Sequence, residues 1–313
     1  MVISQDDYLS QKSAVPLAIN KVILNQYLQI AKDNKFAIPH FNFASAEQLE
    51  AIVLGFKKVL DFYNLPYDRY ALMVGTSESE AKFLGYGQAR ALVDSWKKET
   101  NIPIFLNADH HKNFESCREA IGAGYDTVLI DASTLPFDEN MRITHGVADY
   151  AKSVNPEITV EGELGYLRGE SKLQETVEIK REDFTQSEQA KEFVGKTGVD
   201  RLAIVFGNIH GIVSKQREEL DFNLLKRIAG ALPGVFLVLH GGSGLAEEDF
   251  KKAIENGITN IHINTEVRAA YHDGLIEKLK EAPEEIAPYK FLDKAKEEMR
   301  QVVEDKVRIF MNL

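Results

Sequence analysis

Short apolar runs rich in Val, Ile and Phe recur along the chain, and each is followed by a polar turn and a segment with apolar residues at helical spacing. A strand followed by a helix, repeated many times, is typical of a parallel β-sheet covered by helices. The pattern predicts eight strands, at Phe36–Phe43, Tyr70–Thr76, Ile102–Asn107, Thr127–Asp131, Ile158–Leu164, Arg201–Gly207, Val235–His240 and Asn260–Asn264.

The segments after the strands have helical periodicity. Ala46–Asp61 is an example, because its apolar residues repeat at helical spacing and its first turn has the spacing of a capping box. Two further helices are predicted outside the eight units, at Lys21–Lys32 before the first strand and at Leu292–Met311 after the last unit.

Eight strand–helix units predict the fold class α/β and, more specifically, a (β/α)₈ TIM barrel with an extra N-terminal helix and a C-terminal helical extension. Such barrels need about 250 residues, and the chain has 313. We expect residues 1–313 to form a single barrel domain, since no Gly/Ser-rich or Pro-rich linker divides the chain. An open doubly wound sheet is the competing architecture, although it usually needs fewer strands.

The composition narrows the classes of partner. The chain has 37 Lys+Arg and 48 Asp+Glu, a formal net charge of −11, and no basic block. This charge argues against nucleic acid and against an anionic membrane as partners. No basic leader and no apolar membrane-spanning run is present, so we expect a cytoplasmic protein. A single cysteine excludes an intrachain disulfide and a Cys-rich metal site.

The connection from Gly165 to Gln186 is unusually long, with many charges and little apolar periodicity. About 2–6 residues would be normal between a strand and a helix. We interpret this segment as a mobile lid over the site; the alternative is a disordered excursion without a role.

Polar residues at the strand ends are the candidates for chemistry, because the active site of a barrel lies at the carboxyl ends of its strands. His110, His210 and His240 end the third, sixth and seventh strands. Three histidines with an open fourth position are typical of a catalytic zinc. No local zinc motif contains them, so this interpretation depends on the fold.

A glycine-rich segment, His240–Leu245, ends the seventh strand and precedes a predicted helix. Glycines let a phosphate approach the main chain closely, and barrels commonly bind phosphate after strands seven and eight. Asn264 and Thr265 end the eighth strand and could add donors. The alternative is a plain turn that only caps the helix.

Five motifs occur in the order found in a known family: Asp109-His110, Glu163-Leu164-Gly165, Gly207-Asn208-Ile209-His210-Gly211, His240-Gly241-Gly242-Ser243-Gly244 and Asn264-Thr265-Glu266. With them, the chain resembles the class II, metal-dependent fructose-bisphosphate aldolases over about nine tenths of its length. The resemblance implies reversible cleavage of fructose 1,6-bisphosphate into dihydroxyacetone phosphate and glyceraldehyde 3-phosphate.

The resemblance also implies roles for individual residues. His110, His210 and His240 would hold a zinc ion (Zn²⁺) that polarises the substrate, and Asp109 would exchange a proton with the C4 oxygen. Asp131 and Glu163 match carboxylates that can take a second or alternative metal position. Either carboxylate could instead be structural.

The remaining matched residues concern the substrate, a phosphorylated sugar. Asn42 and Ser77 would contact the sugar phosphate. A phosphate cradle would be formed by Gly211, Gly241, Gly242, Ser243, Asn264 and Thr265. The family also implies a monovalent cation (Na⁺ or K⁺) near the cradle and a homo-oligomer, either a dimer or a tetramer.

Three positions depart from the family pattern. His262 replaces an asparagine, and an imidazole there could donate to a substrate oxygen or add a nitrogen to the metal. Ser171 stands where the lid usually carries the glutamate that removes the C1 proton, so Glu170, or less favourably Glu175, would have to serve as the base. His111 replaces a glycine and is interpreted as part of the pocket wall.

Three alternatives remain open at this point. The substrate could be tagatose bisphosphate or another phosphorylated ketose. The chain could be a catalytically impaired sugar-phosphate-binding homologue, because Ser171 and His262 depart from the pattern. The run Asp109-His110-His111 also matches the name motif of the DHH phosphoesterases, but the further aspartates of that family are not found.

Overall fold

Eight parallel strands close into a barrel in the structure, a computed structural model that describes residues 23–313. Within these residues the strands are β1 (Ile38–Asn42), β2 (Leu72–Ser77), β3 (Ile104–His111), β4 (Thr127–Ile130), β5 (Thr159–Leu164), β6 (Gly169–Gln174), β7 (Arg201–Ile204), β8 (His210–Val213), β9 (Phe236–Leu239) and β10 (Ile258–Ile263). The barrel contains all of these except β6 and β8.

Helices connect the strands and cover the barrel. They are α1 (Leu24–Asn34), α2 (Ala46–Phe62), α3 (Glu78–Leu84), α4 (Tyr86–Thr100), α5 (Phe114–Gly122), α6 (Phe137–Val154), α7 (Ser187–Thr197), α8 (Phe222–Ala231), α9 (Glu247–Glu255), α10 (Thr265–Glu281), α11 (Pro288–Phe291) and α12 (Asp293–Phe310). The predicted (β/α)₈ fold is therefore confirmed.

The barrel strands are buried along nearly their whole length, as expected for parallel strands covered by helices. All eight predicted strands are present, with ends shifted by a few residues. The shift that matters is in β3, which runs to His111, so that Asp109 and His110 lie on the strand itself. The carboxyl end of β3 therefore forms part of the site itself.

Two terminal helices flank the barrel as predicted. Of the predicted helix Lys21–Lys32, Lys21 and Val22 lie outside the described residues, and α1 begins at Leu24. Helix α12 packs against α2 and α10. The contact with α2 is close because Gly55 has no side chain; a Cβ there would lie 3.0 Å from Cγ1 of Val303.

The long connection after β5, interpreted from the sequence as a mobile lid, contains a strand that the apolar pattern did not predict. Strand β6 lies within it and pairs in parallel with β8, with Gly169 opposite His210 and Gln174 opposite Val213. The Gln174 side chain donates to the His210 carbonyl at 2.8 Å. This segment, residues 165–186, is hereafter called the lid. It is hydrogen-bonded to the strand that carries His210.

No helix within residues 23–313 is both long enough and apolar enough to cross a membrane.

Candidate active site

Three histidine side chains meet at the carboxyl end of the barrel. One ring nitrogen from each of His110, His210 and His240 lies within 4.8 Å of the other two. The ring centroid of His110 is 4.8 Å from that of His210 and 4.6 Å from that of His240. The predicted triad is thus assembled from β3, β8 and the end of β9. Neutral imidazoles in this arrangement are a donor set that suits Zn²⁺.

The backbone of His110 is in the left-handed region, with φ of 47°. Few residues other than glycine adopt this conformation, which is often found at functional sites. It lies where the pairing of β3 with β4 shifts register, between Ala108 and His111. Nδ1 of His110 donates to Asp131 Oδ2 at 2.9 Å and lies 3.3 Å from Glu163 Oε2. Nε2 is then the nitrogen available to a metal.

His240 is oriented by a buried ion pair. Its Nε2 donates to Glu161 Oε1 at 2.7 Å, which leaves Nδ1 for a metal. The other carboxylate oxygen of Glu161 lies 2.6 Å from the guanidinium of Arg201, which is completely buried. A carboxylate behind a ligating histidine fixes its tautomer and raises its basicity. Breaking such a buried pair costs about 3–5 kcal/mol, so the orientation of His240 is built into the barrel core.

Burial and neighbouring charges shift the pKa values of His210 and His110 in opposite directions. Burial, reinforced by His110 and His240, lowers the pKa of His210 to about 3. Burial also lowers the pKa of His110, but Asp109, Glu163 and Asp131 outweigh it and raise that pKa well above its usual range. The carboxylates therefore favour positive charge at this centre, whether carried by a proton or by a metal ion.

Both carboxylate oxygens of Asp109 have polar partners. Its Oδ2 accepts from Asn42 Nδ2 at 2.9 Å, and its Oδ1 lies 3.1 Å from His262 Nδ1. Burial raises the pKa of Asp109, but the nearby His110 and His262 have a larger, opposite effect and hold it well below its usual range. The carboxylate is thus held in one orientation by partners from β1 and β10.

The ring of His262 lies between two other imidazoles, stacked on His40 and tilted by 43° against His240. Its ring centroid is 3.7 Å from that of His40, its partner across β1 and β10, and 4.0 Å from that of His240. Nε2 faces Oδ1 of Asn260 at 3.0 Å. The Asn260 amide is fixed, because its Nδ2 donates to the Ile38 carbonyl. Nε2 of His262 therefore donates to Asn260, and Nδ1 lies 3.1 Å from Asp109 Oδ1.

The predicted phosphate cradle has the backbone that its glycines allow. Gly241 has φ of 65°, and a Cβ there would lie 2.1 Å from the Ile209 carbonyl oxygen. Gly211 has φ of 87°, and its Cβ would lie 2.3 Å from the Glu170 carbonyl oxygen. Gly242 is buried against α9 and β10. No other residue type fits Gly211 and Gly241 without moving the main chain.

Two of the three polar side chains of the cradle, Ser243 and Thr265, already have protein partners. Ser243 Oγ accepts from the Glu266 N–H at 3.4 Å, and Thr265 Oγ1 shares a hydrogen bond of 2.9 Å with Ser171 Oγ in the lid. Asn264 precedes α10, and its buried Oδ1 has no hydrogen-bond partner. The cradle and the lid are therefore in direct contact.

The two predicted sugar contacts are linked through one carboxylate. Ser77 caps the start of α3, where its backbone N–H donates to Glu80 Oε2 at 2.8 Å. Asn42 Nδ2 donates to the same oxygen at 2.9 Å. Glu80 was not singled out from the sequence, although its capping-box spacing with Ser77 is visible there.

The structure places Glu170 away from the triad's polar network. Its carboxylate pairs with Lys172 at 2.8 Å and its side chain is 72% exposed. Its role as a base stays a prediction. His111 is buried and packs edge-on against Tyr86, consistent with a place in the wall.

A buried acid supports the segment that carries His210. Glu218 Oε2 accepts from the Ile209 N–H at 3.1 Å. Burial, opposed by this hydrogen bond and assisted by Asp249, raises the pKa of Glu218 from 4.5 to about 8. The protonated acid is therefore the form that the folded chain favours at neutral pH.

Substituting Glu218 by glutamine should remove a loss of stability that the wild type shows as pH rises from 4.5 to about 8. Between pH 4.5 and about 8 the unfolded chain releases the Glu218 proton while the folded chain keeps it, so the stability contributed by this group falls as pH rises. The slope is up to about 1.4 kcal/mol per pH unit. Urea unfolding at several pH values measures the free energy of unfolding. As pH rises, this free energy should increase for E218Q relative to the wild type. It should not do so for E219Q, which changes an exposed neighbour. Parallel curves for E218Q and wild type would contradict this.

Comparison with known proteins is consistent with this geometry. The model of the family described as fructose-bisphosphate aldolase class-II matches residues 22–312. A fructose-bisphosphate aldolase from Staphylococcus epidermidis is 34% identical over 292 residues, covering 92% of this chain and 96% of that protein. The Staphylococcus aureus protein of the same name is 32% identical with the same coverage.

A solved structure has the same fold. The YdjI aldolase from Escherichia coli K12 superimposes with a TM-score of 0.74 at 25% identity, covering 92% of this chain and 96% of that one. Together with the family match over nearly the whole length, these similarities assign the chain. It belongs to the class II fructose-bisphosphate aldolase family, whose members are carbon–carbon lyases.

Proposed function

We propose that this chain catalyses the reversible, Zn²⁺-dependent aldol cleavage of a ketose bisphosphate, fructose 1,6-bisphosphate, to dihydroxyacetone phosphate and glyceraldehyde 3-phosphate. The observation that carries the proposal is the meeting of His110, His210 and His240 at the barrel mouth. Two relatives named fructose-bisphosphate aldolase support the substrate.

The residues present fit a divalent metal. His110 and His240 each give one ring nitrogen to a carboxylate, so their other nitrogens are left for a metal, and His210 is neutral at physiological pH. A metal needs deprotonated ligands and oriented rings. The rings of His110 and His240 are oriented and His210 is already neutral, and a bound cation would displace the proton that the carboxylates favour on His110. When bound, such an ion supplies Lewis-acid polarisation of the substrate carbonyl.

Asp109 is the proposed acid and base for the C4 oxygen. A group with this role must keep one orientation while it gives and takes a proton, and general acid–base catalysis of this kind contributes about 10²–10⁴-fold. Asn42 and His262 hold both carboxylate oxygens of Asp109. We therefore assign Asn42 and His262 to the support of Asp109.

The phosphate of the substrate would lie against the cradle. Gly211 and Gly241 keep the main chain free of side chains there, and the start of α10 after Asn264 presents backbone N–H groups and a positive helix end. Phosphate would compete with Ser171 for the hydroxyl of Thr265. Substrate binding and lid position are thus expected to be coupled.

The base that removes the C1 proton is assigned to Glu170 as a proposal. In this structure its carboxylate is paired with Lys172 and largely solvated, so the role requires the lid to move. Ser171 carries no group that is basic at neutral pH. A monovalent cation, a dimer or tetramer and a cytoplasmic location stay predictions.

A metal analysis coupled to a cleavage assay tests the proposal. Fructose 1,6-bisphosphate should be cleaved by protein as purified, not after chelation, and again after Zn²⁺ is returned. Borohydride with substrate should trap no adduct, because no Schiff-base lysine takes part. Activity that persists with all metal removed would reject the proposal, and faster cleavage of tagatose 1,6-bisphosphate would reassign the substrate.

A further inference from the structure

Lys112 is a charged residue at the barrel mouth to which no role has been given. It follows β3 directly, and its backbone N–H donates to Glu78 Oε1 at 2.7 Å. Ser116 Oγ donates to the same oxygen at 2.8 Å, so Glu78 is itself held in place. The Lys112 ammonium contacts Asp131 Oδ2, although 54% of the side chain is exposed. The main chain of Lys112 is therefore fixed where its amine reaches Asp131.

Asp131 has no hydrogen-bonding capacity left. Its Oδ1 accepts from the hydroxyl and the backbone N–H of Ser133, at 2.6 and 3.2 Å. Its Oδ2 accepts from His110 Nδ1 at 2.9 Å and from the Lys112 ammonium. An ionised carboxylate offers about four lone-pair sites, and protein donors take all four. A metal could bind Asp131 only by displacing one of these donors.

Asp131 and Glu163 both lie near Nδ1 of His110, the ring nitrogen that is not assigned to the three-histidine site. One ring nitrogen of His110 and one oxygen of each carboxylate lie within 4.8 Å of one another, which is close enough to hold a cation. Glu163 Oε2 is buried and lies 3.3 Å from His110 Nδ1. Two buried carboxylates beside a metal-binding histidine need a further positive charge, and the Lys112 ammonium contacts one of them.

We propose that the Lys112 ammonium takes the place of a second divalent cation beside Asp131 and Glu163, so that each chain holds one divalent cation, at His110, His210 and His240. The proposal rests on the proposed function, because it assumes the three-histidine metal site. Asp109, Asp131 and Glu163 bring three negative charges to the mouth, which one divalent ion and one ammonium neutralise. Through Asp131, Lys112 also acts as a positioning residue for His110.

The test is to count bound ions with and without this charge. Substitution K112M removes the ammonium and keeps a stem of similar length. Titration calorimetry of metal-free protein with Zn²⁺ should give one ion per chain for the wild type and two for K112M, a doubling. K112R keeps a positive charge and should bind one ion. Circular dichroism verifies that each variant is folded.

Two further variants separate this effect from a general change in charge. K172M removes a lid lysine that pairs with Glu170, away from Asp131, and should bind one ion. The double variant K112M/D131N should return from two ions to one, because it removes a ligand of the new site.

The outcomes of the count are distinct. A K112M protein that binds one ion overturns the role of Lys112 and leaves the three-histidine site standing. A wild-type protein that binds two ions also overturns it, because the lysine then excludes nothing. A wild-type protein that binds none overturns the proposed function itself.

Discussion

Substituting His210 by alanine should lower the rate of aldol cleavage by about 10³-fold or more. The imidazole is one of three proposed ligands, and losing the polarising ion removes several kcal/mol of transition-state stabilisation, where about 4 kcal/mol corresponds to 10³-fold. Among the three histidines, His210 is the best choice, because His110 and His240 also bond buried carboxylates. Steady-state cleavage of fructose 1,6-bisphosphate and Zn²⁺ content measure the two effects together.

The control for this substitution is His145→Ala. His145 lies on α6, its side chain is 53% exposed, and it pairs only with Asp149 among the contacts found in the described chain. With metal removed from both, the two variants should unfold at similar temperatures, and only H210A should fail to take up Zn²⁺. If H210A retained both its Zn²⁺ and its rate, the three-histidine centre would be refuted.

Substituting Asp109 by asparagine should lower cleavage by about 10²–10⁴-fold, because an amide cannot exchange a proton with the C4 oxygen. The amide has nearly the shape of the carboxylate and can still accept from Asn42 through its oxygen. The variant should still exchange the C1 proton of dihydroxyacetone phosphate with solvent, since that step does not involve C4. Cleavage assays and exchange followed by NMR separate the two steps.

Asp273→Asn serves as the matched control, since this carboxylate is 77% exposed on α10. Its cleavage rate should match that of the wild type. Equal losses of exchange and cleavage in D109N, with full Zn²⁺ content, would mean that Asp109 does not act at C4.

Much of the fold could be predicted, because parallel barrel strands are buried on both faces and appear in sequence as short apolar runs. Strands β6 and β8 escaped prediction for the opposite reason. The residues of β6 are largely exposed, so no hydrophobic alternation marks it, and its partner lies about forty positions away. Pairing between polar segments is decided by main-chain hydrogen bonds, which a hydrophobic pattern does not reveal.

The site residues, too, could be predicted only in part from the sequence. His110, His210 and His240 were visible because each ends a predicted strand, and the closure of the barrel brings them together. Arg201 and His40 were not, because their importance comes from neighbours on other strands, Glu161 opposite Arg201 and His262 opposite His40. Lys112 was missed because a lysine in a polar turn usually faces only solvent.

The packing of α12 on α2 has a consequence for how the protein is made. Gly55 and Val303 touch although 248 positions separate them, and the Ala37 N–H, just before β1, donates to the Phe310 carbonyl at 2.8 Å. A growing polypeptide leaves the ribosome from its amino end. The outer surface of β1 and α2 is therefore covered only after residues near 310 have been synthesised. Until then that surface is exposed to chaperones and to aggregation, and a message truncated shortly before codon 293 should yield insoluble product.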